Sequence, residues 1–138
     1  MSDLMIRMPA SIKQAMIDHA KSIAPIESCG YLSGKDSVEK FYPMTNIDQS
    51  PEHFTFDPKE QFSVLKEARK EGQSLLAVYH SHPASPARLS QEDIRLFNDP
   101  NTVYIIVSLM PGVEDVKAFK VIKSGGEVLI QSVTIELI

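Results

Sequence analysis

The apolar residues of this chain recur with two different periods, and the changes between them mark its elements. From about Pro9 to Ala24 the positions Ile12, Ala15, Met16, His19, Ala20 and Ile23 share one helical face, with Pro9 at the start and Pro25 ending the helix. His19 sits on that stripe, where a lone histidine is more simply a core or boundary residue than a ligand. Glu27–Leu32 reads as a strand, Gly34-Lys35-Asp36 as a turn, and Val38–Met44 as the hairpin partner. The segment 46–56 (NIDQSPEHFTF) combines turn residues with exposed-looking aromatics and reads as a loop. Asp57-Pro58-Lys59-Glu60 then starts a helix, with Asp57 as N-cap and Pro58 as first helical residue; it runs to about Glu71, and Gly72 stops it.

Leu75–Tyr79 is continuously apolar, as a strand covered on both faces tends to be. Ser90–Phe97 reads as a short helix closed by Asn98-Asp99-Pro100. Three strand-like runs follow, Val103–Leu109, Val116–Ile122 and Val128–Leu137, separated by turns at Pro111-Gly112 and Ser124-Gly125-Gly126. In the last run Val133, Ile135 and Leu137 alternate with Ser132, Thr134 and Glu136, so one of its faces is wet. Helices before and between strands, then a closing antiparallel run, predict an α/β fold with a mixed central sheet flanked by helices. No linker or repeat divides residues 1–138, which read as a single domain. Ile138 ends a strand-like run whose edge could pair with a second copy, making a dimer.

Composition narrows the function classes. The net charge of −4 and pI near 5.5 argue against a broad basic face for nucleic acid. The basic residues Lys66, Arg69 and Lys70 are mixed with acids, as on a solvated helix face. A single cysteine, Cys29, excludes an internal disulfide and any paired-cysteine zinc site. The N-terminal segment lacks the apolar core of a signal peptide, and no apolar run approaches the roughly 18 residues of a membrane span. A reducing, cytoplasmic setting with no membrane partner is the expectation.

The candidate chemistry lies at the end of the apolar strand. In His80-Ser81-His82-Pro83 the two imidazoles are two residues apart, so on a strand they point to one side. Asp93 follows His82 by eleven residues, in the first turn of the short helix. Two nitrogens and one carboxylate suit zinc and leave a coordination position for water, whose acidity the ion raises. On the residues alone a second reading stands beside this one. Ser90 and Asp93 form a Ser-x-x-Asp helix cap, and a His-x-His pair occurs in strands without any metal. A hydrolytic site also needs a group to carry the proton of water to the leaving group. Glu27, at the start of a strand and followed by small Gly30, is the candidate; Glu52, Glu92 and Asp57 are poorer ones, being loop, helix-surface and cap residues.

Taken together, Glu27 in Ile-Glu-Ser-Cys-Gly-Tyr-Leu, His80-Ser-His82-Pro83 and Ser90-x-x-Asp93 resemble the JAMM/MPN+ zinc metalloprotease motif. That motif is a glutamate on an early strand, then His-x-His-Pro, six residues, and Ser-x-x-Asp. The resemblance implies an MPN, cytidine-deaminase-like fold over nearly the whole chain. It implies one Zn2+ per chain on His80, His82 and Asp93, Glu27 as general base and acid, and Ser90 stabilising the oxyanion. The chain resembles the compact prokaryotic members, which implies cleavage after the Gly-Gly tail of a ubiquitin-like or sulfur-carrier protein, with the tail lying along the 46–56 loop. The alternative implied by the same family is a non-catalytic MPN scaffold that holds such a partner, and the intact ligand set counts against it. A nucleoside deaminase would need a cysteine pair that one cysteine cannot supply. Cys29 shares the face of Glu27, where a small buried hydrophobe is a simpler reading than a fourth ligand or a redox switch.

Overall fold

In the computed structural model, which describes residues 4–112 and 114–138, the chain runs β1 (Met5–Met8), α1 (Ala10–Ile23), β2 (Cys29–Gly34), β3 (Val38–Met44), α2 (Pro58–Lys70) and β4 (Ser74–His82). It continues through α3 (Gln91–Leu96), β5 (Val103–Ser108), β6 (Asp115–Ser124) and β7 (Glu127–Leu137). The strands form one mixed sheet in the order β1-β7-β6-β5-β4-β2-β3. Pairings β4–β5 and β1–β7 are parallel, and the remaining neighbours are antiparallel. The expected α/β architecture is the one observed.

Helices cover both faces of the sheet. Met16 and Ala20 of α1 pack with Leu32, Ala77, Tyr79, Ile105 and Val107, so alternate residues of β2, β4 and β5 share one apolar layer. Cys29, Met44 and Val64 of α2 form a cluster on the other face, and Phe97, Tyr104 and Val121 form a third beside α3. The helix ends follow from the residues read above: the Asp57 side chain accepts from the Lys59 N–H, and Gly72 takes φ 70, which favours glycine.

Two expectations need correction, and one strand was not foreseen. Residues 5–8 form β1, pairing Met5 with Thr134 through Met8 with Leu137. The edge of β7 expected to be open to a second copy is therefore covered by the chain itself, down to the Ile138 N–H donating to Met8 O; the sheet's free edges are β1 and β3. Glu27 and Ser28 lie before the first residue of β2 and not within it. As expected, His80 and His82 lie at the end of a strand that stops before Pro83: β4 runs through His82, where its parallel ladder with β5 pairs His82 with Ser108.

Candidate active site

Where β4 ends, alternation turns the rings of His80 and His82 to the same side, 4.9 Å apart between centroids. His80 stacks on Phe54 at 4.9 Å and meets Phe97 edge-on at 5.6 Å. The 46–56 aromatics are thus not exposed: Phe54 closes over a site histidine, and Phe56 stacks on Tyr31. Beyond Pro83 the chain is held back against the sheet, with Ser108 Oγ donating to Ser85 O at 2.6 Å. The His82 ring is fixed at 2.9 Å between Nδ1 and Pro86 O.

At the start of α3 the Ser90 hydroxyl accepts from the Asp93 N–H, and Asp93 Oδ2 accepts from the Ser90 N–H, each at 3.0 Å. The helix cap and the metal-ligand reading therefore coexist in one carboxylate. Asp93 Oδ2 also lies 3.1 Å from His82 Nε2 and 3.3 Å from His80 Nε2, and the two Nε2 atoms are 3.1 Å apart. All three residues are buried.

This donor set fits a metal ion. Pro86 O can only accept, so His82 Nδ1 carries the proton and neutral His82 presents an Nε2 lone pair. That lone pair faces the Asp93 carboxylate, so acceptor meets acceptor unless a cation or a proton lies between them. Ligand atoms about 2.0–2.1 Å from a tetrahedral ion stand roughly 3.3 Å from one another, close to the separations observed.

The ionisation of the site follows from the same contacts. Burial lowers His80, and this outweighs the upward pull of Asp93. Burial also opposes protonation of His82, but Asp93, the Pro86 carbonyl and Glu27 outweigh it and the net shift is upward. Asp93 is raised by burial and lowered further by both histidines and the Ser90 N–H, which hold it far below the usual carboxylate range.

Glu27 is placed by its backbone. Its N–H donates to Ser50 O at 2.9 Å, and its carbonyl accepts from Asn46 Nδ2 at 3.0 Å. The residue is 4% exposed, and Oε1 is buried without a hydrogen-bond partner. Burial pushes its carboxyl up to about 8; His82 pulls against the shift, while Asp93 and Glu52 add to it. Such a group changes protonation near neutrality, as proton-transfer catalysis requires. Of the poorer candidates, Glu92 pairs with Arg95 at 2.6 Å, Asp57 caps α2, and Glu52 is exposed.

Cys29 is wholly buried with Met44 and Val64, and burial pushes its thiol up to about 12. It packs, and it is not among the residues that could hold a metal. Sequence reasoning missed Phe54, the Pro86 carbonyl and Asn46. The Pro86 carbonyl had no signal beyond proximity to the motif and Phe54 none beyond its place in the 46–56 loop, whereas Asn46 opens the loop that Glu27 leans on.

A family model described as prokaryotic homologs of the JAB domain matches residues 9–122. The chain belongs to this family. The JAB domain here is similar to the CysO-cysteine peptidase of Mycobacterium tuberculosis, 32% identical over 117 residues, covering 82% of this chain and 80% of the relative. It is 37% identical over 93 residues to a probable TtuB-protein conjugate cleaving protease of Thermus thermophilus, covering 67% and 63%. A solved structure from Desulfitobacterium hafniense superposes with TM-score 0.85 at 42% identity, covering 97% of this chain and 93% of that one. A JAB1/MPN domain protein from Archaeoglobus fulgidus, 23% identical, shares the fold at TM-score 0.62 over 99% of this chain and 100% of that one. No helix among the described residues is long and apolar enough to cross a membrane.

Proposed function

We propose that this JAB domain is a zinc metallopeptidase that hydrolyses a peptide or isopeptide bond after the glycine-rich C-terminal tail of a ubiquitin-like or sulfur-carrier protein. The observation that carries the reading is Glu27. A buried carboxyl with an unpartnered oxygen and a value near 8 stands in the field of His82 and Asp93. A scaffold that only binds its partner has no use for such a group.

His80, His82 and Asp93 would hold one zinc ion per chain. When bound, zinc polarises a carbonyl oxygen and raises the acidity of water at neutral pH. Glu27 Oε1 then takes a proton from the attacking water and hands it to the departing amine nitrogen, so the carboxylate is regenerated in each cycle. The Ser90 hydroxyl oxygen is occupied by the Asp93 N–H, which leaves its own hydrogen free to donate to the oxyanion of the tetrahedral intermediate. Pro86 O keeps the His82 ring in one tautomer throughout.

The substrate class is supported by the relatives named for CysO-cysteine and TtuB-protein conjugates. An extended Gly-Gly tail suits an approach between the 46–56 loop and the site, because small residues pass Phe54 and backbone groups can pair with an open strand edge such as β3. In this reading residues 1–138 act as one unit in a reducing, cytoplasmic setting, where Cys29 remains a thiol.

The test is cleavage of a sulfur-carrier protein joined through its C-terminal glycine to cysteine, and of the same carrier joined to a lysine side chain. Release of the amine, abolished by a chelator and restored by zinc, is expected for at least one of them. No release from either, with zinc stoichiometrically bound, would exclude the proposed activity.

A further inference from the structure

On the face of the sheet away from the metal ligands, polar groups lie where apolar ones would be expected. Ser28, Tyr79 and Ser81 are all buried, and Tyr79 belongs to the apolar layer of Met16, Leu32 and Ile105 under α1. Hydroxyls in such a layer are unfavourable unless they are bonded, and here each has a partner. Ser28 Oγ is hydrogen-bonded to the Tyr79 hydroxyl. The Tyr79 hydroxyl also meets His19 Nδ1 at 2.9 Å and lies 3.4 Å from Met16 O, both on α1. His19, read from the sequence as a core or boundary residue, is the anchor of this network.

The position of the network in the chain gives it meaning. The paired register of β2 and β4 ends at Cys29 and His80, and Glu27 lies two residues beyond it. There the Ser81 N–H donates to Ser28 O at 3.0 Å, and the Ser28 N–H donates to Ser81 Oγ at 2.8 Å. A side-chain hydroxyl thus takes the place of the next ladder carbonyl. Ser28 adjoins Glu27, and Ser81 lies between His80 and His82. One reciprocal pair of bonds therefore ties the residue beside the general base to the residue between two metal ligands.

We infer that Ser28, Ser81 and Tyr79 are positioning residues that hold the Glu27 backbone at a fixed offset from His80 and His82, with α1 as the anchor through His19. Without them Glu27 would sit on a strand end free to fray, held by the Ser50 carbonyl and the Asn46 amide of a loop. A fully bonded buried network suits this task because it admits one arrangement, whereas apolar packing tolerates several. Proton transfer is sensitive to such offsets, and a displacement of about 1 Å can cost roughly 100-fold in rate.

The inference rests on the proposed peptidase activity, and its test uses the zinc-loaded full chain with a cleavable carrier conjugate. Tyr79→Phe keeps the ring and removes one hydroxyl; Ser28→Ala removes the other end of the bond. Each is expected to lower kcat roughly 10- to 100-fold while KM stays within about twofold. Bound cobalt(II), used as a probe in place of zinc, is expected to keep its visible spectrum, because the ligands lie on the other face. The double variant should be no slower than the slower single one, since both act through one bond. Full kcat in Tyr79→Phe and Ser28→Ala overturns the inference alone, and so does a cobalt(II) spectrum that changes in step with kcat. A wild-type protein that cleaves no conjugate overturns the peptidase activity and this inference together.

Discussion

Glu27 links the site's chemistry to the stability of the fold. Its value of about 8 in the folded protein lies above the 4.5 of an exposed glutamate. Between those pH values the folded chain keeps a proton that the unfolded chain has lost, so stability falls as pH rises through the window. For a group this buried the fall is on the order of a few kcal/mol. His82, also raised, works in the same direction; His80 and His19, lowered by burial, work against it, and the benefit from Asp93 is complete before the window begins. Comparison with Glu27→Gln isolates the contribution of Glu27: between pH 5 and pH 8 the metal-free wild type should lose melting temperature relative to Glu27→Gln. Equal pH dependence in both proteins would show that Glu27 is not buried as a protonated acid. Residue by residue, the candidate ligands were readable because His80, His82 and Asp93 lie within one short stretch. Ser28, Tyr79 and His19 were not, because three residues from three segments meet only after α1 docks on the sheet.

At the scale of elements, β2 sets the geometry of the site from its place between β4 and the edge strand β3. Gly30 follows from how closely β3 and β4 flank it. A Cβ there would run into the Tyr42 carbonyl and stand 3.0 Å from the Phe41 ring and 3.2 Å from the Tyr79 ring. Gly30→Ala should thus destabilise the protein by about 1–3 kcal/mol, seen as a lower urea midpoint with an unchanged slope; wild-type stability would mean the strands part without cost. The helices and the β2–β3 hairpin were legible because caps, prolines and alternation are local signals. β1 was not, since Met5–Met8 is four residues long and its meaning comes from a partner about 130 positions away. The end of β4 at His82 was legible because Pro83, which has no N–H to donate to a ladder, follows it.

Across the whole molecule, the same short β1 closes the sheet beside β7 and buries Ile6 and Met8. Removing residues 1–8 should expose the β7 edge and apolar surface together, lowering the melting temperature and producing concentration-dependent association in sedimentation or gel filtration. A truncated chain that stays monomeric and equally stable would contradict this account of β1. Apolar patterning made the α/β class visible at this scale, and the order of the strands emerged only from their pairing. The central proposal is that the assembled fold brings Glu27 to His80, His82 and Asp93, the proposed metal ligands. It is tested most directly by measuring zinc content and conjugate cleavage on the same preparation of Glu27→Gln. The account predicts one zinc per chain, as in wild type, with turnover reduced by roughly 100-fold or more. Turnover near that of wild type with zinc fully bound would contradict it.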